Sequence, residues 1–551
     1  MIKDGNFTKI SAKFAIALII LITLLAYANS LNNSFVLDDT HTILNNNFIK
    51  SWKNFPAIFT RSYLTPFKNN IIDHSLGAQE TSYRPVVTVS YFIDYAIWGL
   101  EPFGYHLTNL FLHIFNAILF YYFITFVTKN IRIGLFSALL FALHPINTEA
   151  VNAVSFREDL LSFLFFIFSL ILYIKLDKYS GRRKALIYVL SLLSFLIALF
   201  SKEMAVTLPF IIILYDWFFA SNDGTKDFFM RLKSRYLGFF SILLFYIWIR
   251  FFVMNNLTAP PVKYPGGDFY INILTMFKVF AIYIKGFFWP FDIHYVLSGD
   301  PSLISYPLLD SKAIVSIGLI IFCFAVAIKT YRNSRKISFS IFWFFITLLP
   351  VANIWPLTNY MAVRYLYTPA AGLCFLVPAA ILNLNSAKFN LQKIGRNILI
   401  AIFVLYSFVT IKINNVWKDN ISLWSEMVKK YPDSPMSHLS LGFALLKKGS
   451  IDSAVTSTKN ALKIKPDYAE AHRTLGKCYL LRGEFKEATR ELNESLKLEP
   501  ASADAHNDLG AIFAIIGNMD EAKKKWTKAS EINPRDSVVK GNLKEIERLG
   551  Y

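Results

Sequence analysis

The chain has 551 residues, of which 54% are hydrophobic and 16% aromatic, and 52 are phenylalanine. The apolar residues are concentrated before residue 414, which excludes a single water-soluble globule. A formal charge of +19 would suit nucleic acid. The basic residues, however, cluster in short loops between apolar runs, where they carry topology information, so no nucleic-acid partner is expected.

The first apolar run, Phe14 to Ala28, is long enough with its small and polar flanks to cross a bilayer. It lacks a clear small-residue cleavage site and is expected to stay as an anchor. Lys3, Lys9 and Lys13 precede it and place the N-terminus in the cytoplasm. About ten residues past its end come two adjacent carboxylates, Asp38 and Asp39. A carboxylate pair at a low-dielectric boundary gains proton affinity. Taken alone, the same pair reads as a solvated loop after a helix.

That outer loop ends in Tyr83-Arg84-Pro85, followed by an amphipathic Val86–Trp98 too short to span. The second span, roughly Tyr105–Val127, is entered through His106, Asn109, His113 and Asn116. These share one helix face, and such a polar stripe faces a bundle interior. Lys129 and Arg132 return the chain to the cytoplasm. The third span ends in His144-Pro-Ile-Asn-Thr-Glu149-Ala-Val, and Arg157-Glu-Asp159-Leu-Leu opens the fourth on the outer side. Spans five and six, about 186–200 and 204–219, turn outside at Lys202-Glu203. Lys226, Arg231, Lys233 and Arg235 mark the next loop as cytoplasmic, and span seven follows at about 236–254.

Ile271–Pro290 has the look of a span but carries Lys278 and Lys285. If it crossed, the basic Lys329–Lys336 would lie outside, against the positive-inside rule. The stretch 255–310 is therefore read as one outer region, with 271–290 interfacial or re-entrant. Spans at about 312–328, 338–354, 366–383 and 397–413 bring the total to about eleven. Everything after residue 413 then lies outside with Asp38.

The tail carries the clearest signal. Pro432, Pro466, Pro500 and Pro534 recur every 34 residues, with Leu-Gly at 441, 475 and 509 and Gly449, Gly483 and Gly517 in step. This period and pattern resemble tetratricopeptide repeats, helix-turn-helix units of that length that bind peptides or partner proteins. Three full repeats cover about 435–536, and Ser537–Leu549 is a capping helix. Trp417–Lys430 fits the second helix of a partial unit, packed on the first repeat through Trp424. Cys323 and Cys374 fall in apolar runs and Cys478 in the tail, so no disulfide framework is present.

Four polar segments converge on the outer face: Asp38-Asp39, Tyr83-Arg84-Pro85, His144 to Asp159, and Met361-Ala-Val-Arg364-Tyr-Leu-Tyr367. Together they offer carboxylates to take a proton and cationic groups to hold an anion. That set suits transfer from a phosphate-linked donor to a hydroxyl. Asp38 and Asp39 are the catalytic candidates, and Arg84, Arg364, His144 and Arg157 the donor-phosphate candidates. His106, Glu149 and Asp159 complete the set. Each has a plainer role: arginines anchor helix ends among headgroups, histidines satisfy bundle interiors, and carboxylates cap helix starts. Asp, His and Glu can also gather a divalent metal, but no HxxxH-type spacing marks a preformed site, and no metal or other cofactor is expected.

The ordered set of motifs resembles one known family. It comprises the double Asp, Tyr-Arg-Pro, Phe103-Gly-Tyr-His-Leu-Thr-Asn-Leu-Phe-Leu-His113, His-Pro-x-x-Thr-Glu-Ala-Val and Arg-x-Asp-Leu-Leu. Trp289-Pro290, Leu349-Pro-Val-Ala-Asn-Ile354, Met-Ala-x-Arg-Tyr-Leu-Tyr and the repeats follow. The chain resembles the transmembrane and tetratricopeptide-repeat O-mannosyltransferases, of the GT-C glycosyltransferase fold. The resemblance implies a polyprenyl-phosphate sugar donor, such as dolichyl-phosphate mannose, and Ser or Thr hydroxyls of proteins as acceptors. It places the catalytic base on Asp38, with Asp39 beside it. One departure is Val363, where the family usually has an acidic residue before the arginine, which leaves the sugar open.

The expected molecule is all-α: a polytopic membrane helix bundle over 1–413, then an α-solenoid of repeats over 414–551. Active site and repeats are expected on the non-cytoplasmic side. The alternative is a membrane-anchored scaffold that recruits proteins through its repeats without catalysis. A transporter would favour charges near the bilayer midplane and paired inverted repeats, which the sequence does not display.

Overall fold

A computed structural model describes residues 11–60, 83–220, 231–253, 263–292, 304, 310–357, 359–382, 391–534 and 536–550. Lys3, Lys9 and Lys226 lie outside the described residues. The chain falls into two units, with the boundary between Trp417 and Lys418. Every regular element described in either is a helix.

The first unit opens with α1 (Ala12–Tyr27), α2 (Pro85–Trp98), α3 (Pro102–Thr128) and α4 (Ile131–Leu143). Proline at the first position starts both α2 and α3, where its missing N–H costs nothing. Asn130 caps α4 by accepting from the N–H groups of Arg132 and Ile133 at 2.9 and 3.2 Å. That helix stops at His144-Pro145, because the proline cannot donate to the preceding turn. The chain resumes through Pro145–Asn147 into α5 (Thr148–Asn152), bent 51° from α4. Then come α6 (Arg157–Lys175), α7 (Gly181–Leu199), α8 (Leu208–Tyr215), α9 (Leu237–Trp248) and α10 (Phe269–Phe288). The unit closes with α11 (Ser311–Thr330), α12 (Arg335–Leu348), α13 (Tyr367–Ile381) and α14 (Leu391–Val416).

Helices α3, α4, α6 and α13 pack around one aromatic knot. Phe141 stacks on Phe163 at 5.1 Å between ring centroids and meets Tyr367 edge-on at 5.2 Å. In lipid the solvent is as apolar as the side chains, so close packing and internal hydrogen bonds hold helices together. The stripe on α3 supplies those bonds: His106, Asn109, His113 and Asn116 are all buried. His113 joins the Tyr367 hydroxyl at 2.7 Å and the Ala142 carbonyl at 3.0 Å. Asn116 donates to the Leu160 carbonyl at 2.9 Å and to Tyr367 at 3.0 Å.

A second seam is built of asparagine amides. Asn414, near the end of α14, donates to the Ala26 carbonyl and to Asn29, both at 2.9 Å. Asn152 donates to the Asn414 side chain at 2.8 Å, and Asn33 donates to Asn152 at 3.1 Å. Asn29 donates in turn to the Ile411 carbonyl at 2.9 Å and to Asn415 at 3.1 Å. The last helix of the unit, the short α5 and the loop leaving α1 are thereby joined.

Among the described residues eight helices are long and apolar enough to cross a membrane, or nine if the bent α4–α5 pair counts as one span. The sequence suggests about eleven. The difference lies in α7, which carries Arg182, Arg183 and Lys184 in its first turn, and in α12 and α13, of 14 and 15 residues. At 1.5 Å per residue neither reaches across a hydrocarbon core unaided. Conversely α10, read as interfacial or re-entrant, is one continuous 20-residue helix that meets the same criteria. Its buried Lys278, halfway along, pairs with Asp310 at 2.9 Å, the residue that caps α11.

The second unit is a run of helix pairs: α15 (Asn420–Lys430), α16 (Pro435–Lys447), α17 (Ile451–Ile464), α18 (Ala469–Arg482), α19 (Phe485–Leu498), α20 (Ala503–Ile515), α21 (Met519–Ile532) and the cap α22 (Ser537–Arg548). Each prolyl position of the 34-residue period follows a helix end by two residues. The Leu-Gly dipeptide lets paired helices touch: a Cβ on Gly476 would lie 2.7 Å from Leu492 Cγ. Gly483 ends α18 at φ 76°, which a residue with a side chain seldom adopts. The expected partial unit is α15, which packs on α16 with Leu423, Trp424 and Met427 buried.

Candidate functional site

Five consecutive residues, Ser155 to Asp159, organise one end of the first unit, because each side chain or amide engages a different element. The Ser155 amide donates to Asp39 at 2.6 Å, and the Val154 amide to the same carboxylate at 3.3 Å. Asp39 also accepts from the Val36 amide at 3.0 Å and is fully buried. Burial pushes its carboxyl up to about 6, against the pull of these N–H donors. Asp39 therefore pins the loop after α1 onto the start of α6. Its neighbour Asp38 is half-buried on the same turn, and its carbonyl accepts from the Thr42 hydroxyl at 2.9 Å. Leu37, just before it, sits at φ 48°, an unusual conformation for a branched side chain.

Phe156 lies under the Arg364 guanidinium, 4.0 Å from ring centroid to carbon. Arg364 grips Glu149 twice, through its side chain at 2.8 Å and its own backbone N–H at 3.1 Å. Burial opposes the charge on Arg364, but Glu149 outweighs it and holds the guanidinium's pKa above its ordinary value. Arg157 points the other way. Fully buried, it pairs with Asp94 of α2 at 2.6 Å and donates to Asn109 at 2.7 Å, Tyr105 O at 3.1 Å and Ser90 at 3.2 Å. Its donors are given to the frame, as are both nitrogens of His144: one meets the Phe287 carbonyl at 2.9 Å, the other accepts from the Ile146 amide at 3.2 Å. His106 is buried on α3.

Glu158 and Asp159 carry the rest. Arg84, at the start of α2, pairs with Glu158, and it also reaches Glu203 at 3.1 Å. Lys202 joins Asp159 at 2.6 Å and Glu158 at 3.1 Å. Burial works against the Lys202 charge, yet Asp159 and Glu158 outweigh it and raise its pKa. Arg250, one residue into the turn after α9, pairs with Glu203 at 2.5 Å.

The structure thus brings Arg84, Glu149, Asp159 and Arg364 into one ionic network, Arg84 and Asp159 through Glu158 and Lys202, and the Glu149–Arg364 pair through the field between Arg364 and the carboxylates of Glu158 and Asp159, with Asp39 seated on its flank. It sends Arg157, His144 and His106 into the packing. Sequence reading missed Glu158, Lys202, Glu203 and Arg250. Lys202-Glu203 reads as a turn between two spans, and Arg250 falls unremarked inside the stretch read as span seven. The available signal was their isolation, since a charge within an apolar run marks a functional residue by default. Among the described residues no three His, Cys, Asp or Glu side chains gather to hold a metal ion. Chemically, the network offers four cations beside buried carboxylates, which is a setting for an anionic ligand.

A family model for the tetratricopeptide repeat matches residues 445–512. The chain is 25% identical over 455 residues to a protein O-mannosyl-transferase of Caenorhabditis elegans, covering 81% of this chain and 62% of that one. It is 25% identical over 525 residues to one of Xenopus laevis, covering 80% and 61%. A human protein O-mannosyl-transferase matches at 24% over 472 residues, covering 80% of this chain and 50% of its own. The chain thus spans 50–62% of the length of these relatives. Among solved structures, a thermophilic tetratricopeptide protein of Thermus thermophilus aligns with 41% of this chain and 98% of its own, at 18% identity and a TM-score of 0.22.

Proposed function

We propose, from its similarity to protein O-mannosyl-transferases, that this chain transfers a sugar from a polyprenyl-phosphate donor to Ser or Thr hydroxyls of proteins. Asp38 is the proposed base. It is half-buried beside Asp39, whose three backbone bonds hold the turn against the start of α6, the strip that also carries Glu158 and Asp159 of the ionic network. The acceptor hydroxyl would give its proton to Asp38 as its oxygen attacks the anomeric carbon, and the phosphate would leave from the opposite face with inversion. Arg84 and Arg364 are the proposed partners of that phosphate, which gathers charge as the bond breaks. The repeats would present the protein acceptor, and mannose is the proposed sugar. The proposed site faces the non-cytoplasmic side.

The observation that supports this reading most is the meeting of four chain-distant segments, at residues 39, 84, 149–159 and 364, at one end of the bundle. The test is transfer of labelled mannose from polyprenyl-phosphate mannose to a Ser/Thr-rich peptide by the purified full chain in lipid nanodiscs. Transfer lost on Asp38→Asn is the expected result. No transfer by the parental chain, with peptide still retained by the repeats, would favour the non-catalytic scaffold.

A further inference from the structure

Four cations and four anions make up the ionic network among the described residues: Arg84, Lys202, Arg250 and Arg364 against Glu149, Glu158, Asp159 and Glu203. The set is balanced, so an incoming phosphate adds uncompensated charge unless one carboxylate withdraws. Three of them are not free to do so. The side chains of Glu149, Glu158 and Asp159 are 0%, 5% and 4% exposed, so none reaches solvent by a turn of its own side chain, and an unpaired carboxylate left in that burial is costly. Glu203 differs, at 24% exposed and facing Arg250 at 25%. It is the open edge of the network.

Its geometry is also that of a bound phosphate. One Glu203 oxygen meets Arg84 at 3.1 Å and the other meets Arg250 at 2.5 Å, so two guanidinium groups on different helices converge on one anionic group. The Arg250 side chain is steadied by donation to the Tyr246 hydroxyl at 3.1 Å. Next door, Lys202 is tied to two buried carboxylates, which fixes the backbone while the Glu203 side chain can turn toward solvent. We propose that the Arg84–Arg250 fork is a binding site for the phosphate of the lipid donor, and that Glu203 is an internal anion that fills it until the donor arrives. This rests on the transferase reading above. It adds Arg250 as a second phosphate arm and gives Glu203 a place-holding role.

The test is direct binding, by the full chain in nanodiscs, of a polyprenyl phosphate that carries no sugar. Arg250→Ala should weaken binding at least about tenfold, the worth of a lost charge-assisted contact. Glu203→Gln should tighten it by roughly threefold or more, because the site no longer spends part of its time occupied. Weaker or unchanged binding by Glu203→Gln would make Glu203 a fixed anchor of the arginines and overturn the proposal. If Glu203→Gln does not fold, Glu203→Asp, one methylene shorter, should also tighten binding, and weakening there overturns it equally. Inorganic phosphate binding as tightly as the lipid would assign the fork to a free anion and overturn the lipid assignment. Because the probe undergoes no turnover, intact binding with these dependences but no sugar transfer counts against the transferase reading alone.

Discussion

Asp38 and Asp39 are adjacent and chemically identical, yet the fold gives them different work. Asp39 accepts three backbone N–H bonds in full burial, and Asp38 keeps partial access to solvent. Asp38→Asn should leave the thermal stability of the full chain unchanged and lower turnover by roughly two to four orders of magnitude, the usual worth of a general base. Asp39→Asn should instead lower stability by about 1–3 kcal/mol, since one of its two oxygens becomes an NH2 that faces a backbone N–H and cannot accept from it. The pH dependence has a definite sign. Between about 4 and about 6 the unfolded chain releases the Asp39 proton while the folded chain keeps it, so stability falls as the pH rises through that window. The loss is about 3 kcal/mol and stops above pH ~6. A melting curve measured across pH 4–7 checks it, and Asp39→Asn should flatten that component. Sequence alone does not separate the two residues, because two of the three amides that hold Asp39 lie more than a hundred positions away.

The strip from Ser155 to Asp159 shows why elements and not motifs decide roles. Three of its charged side chains stand next to one another in sequence, yet the turn of α6 sends Arg157 toward α2 and α3 and the two carboxylates toward Arg84 and Lys202. Arg157→Ala should therefore behave as a lesion of the frame. It leaves the buried Asp94 with the Thr108 hydroxyl but without its cation, at a cost of about 3–5 kcal/mol. The expected outcome is a lower melting temperature and folded yield, with unchanged affinity for polyprenyl phosphate in the fraction that folds. A loss of affinity at normal stability would return Arg157 to the donor site. What was legible at this scale was whatever is local. The 34-residue period, its prolines and its Leu-Gly contacts each act within one repeat, so the pattern and the helices agree throughout. The stripe on α3 was legible too, because its period is the helix's own. Pairings such as Glu149 with Arg364, 215 positions apart, have no local signature.

At the scale of the molecule the open quantity is the number of crossings. Helix α10 meets the same length and apolarity criteria as its neighbours, and its midpoint Lys278 pairs with the first residue before α11. A lysine at mid-height of one helix and a cap at the start of the next place those two helices about half a membrane out of step, if α11 is the one that crosses. An α10 lodged in one leaflet, as the sequence suggests, would put the repeats on the same side as Asp38. Membrane-impermeant labelling of single cysteines at positions 38 and 500 should then give the same sidedness. Labelling of position 500 from the cytoplasm alone would establish one more or one fewer crossing between them. The parity was hard to read because charge bias and apolar length disagree over 271–290, and both are weak forces for a single short helix. The seam of Asn29, Asn33, Asn152, Asn414 and Asn415 bears on where such a protein can operate. Amides neither titrate nor attract counterions, so the purchase of the last helix on the loop bearing Asp38 is indifferent to acidity and salinity. Carried from a neutral to an acidic compartment, the molecule would keep that register while the carboxylates around it, Asp39 first, responded.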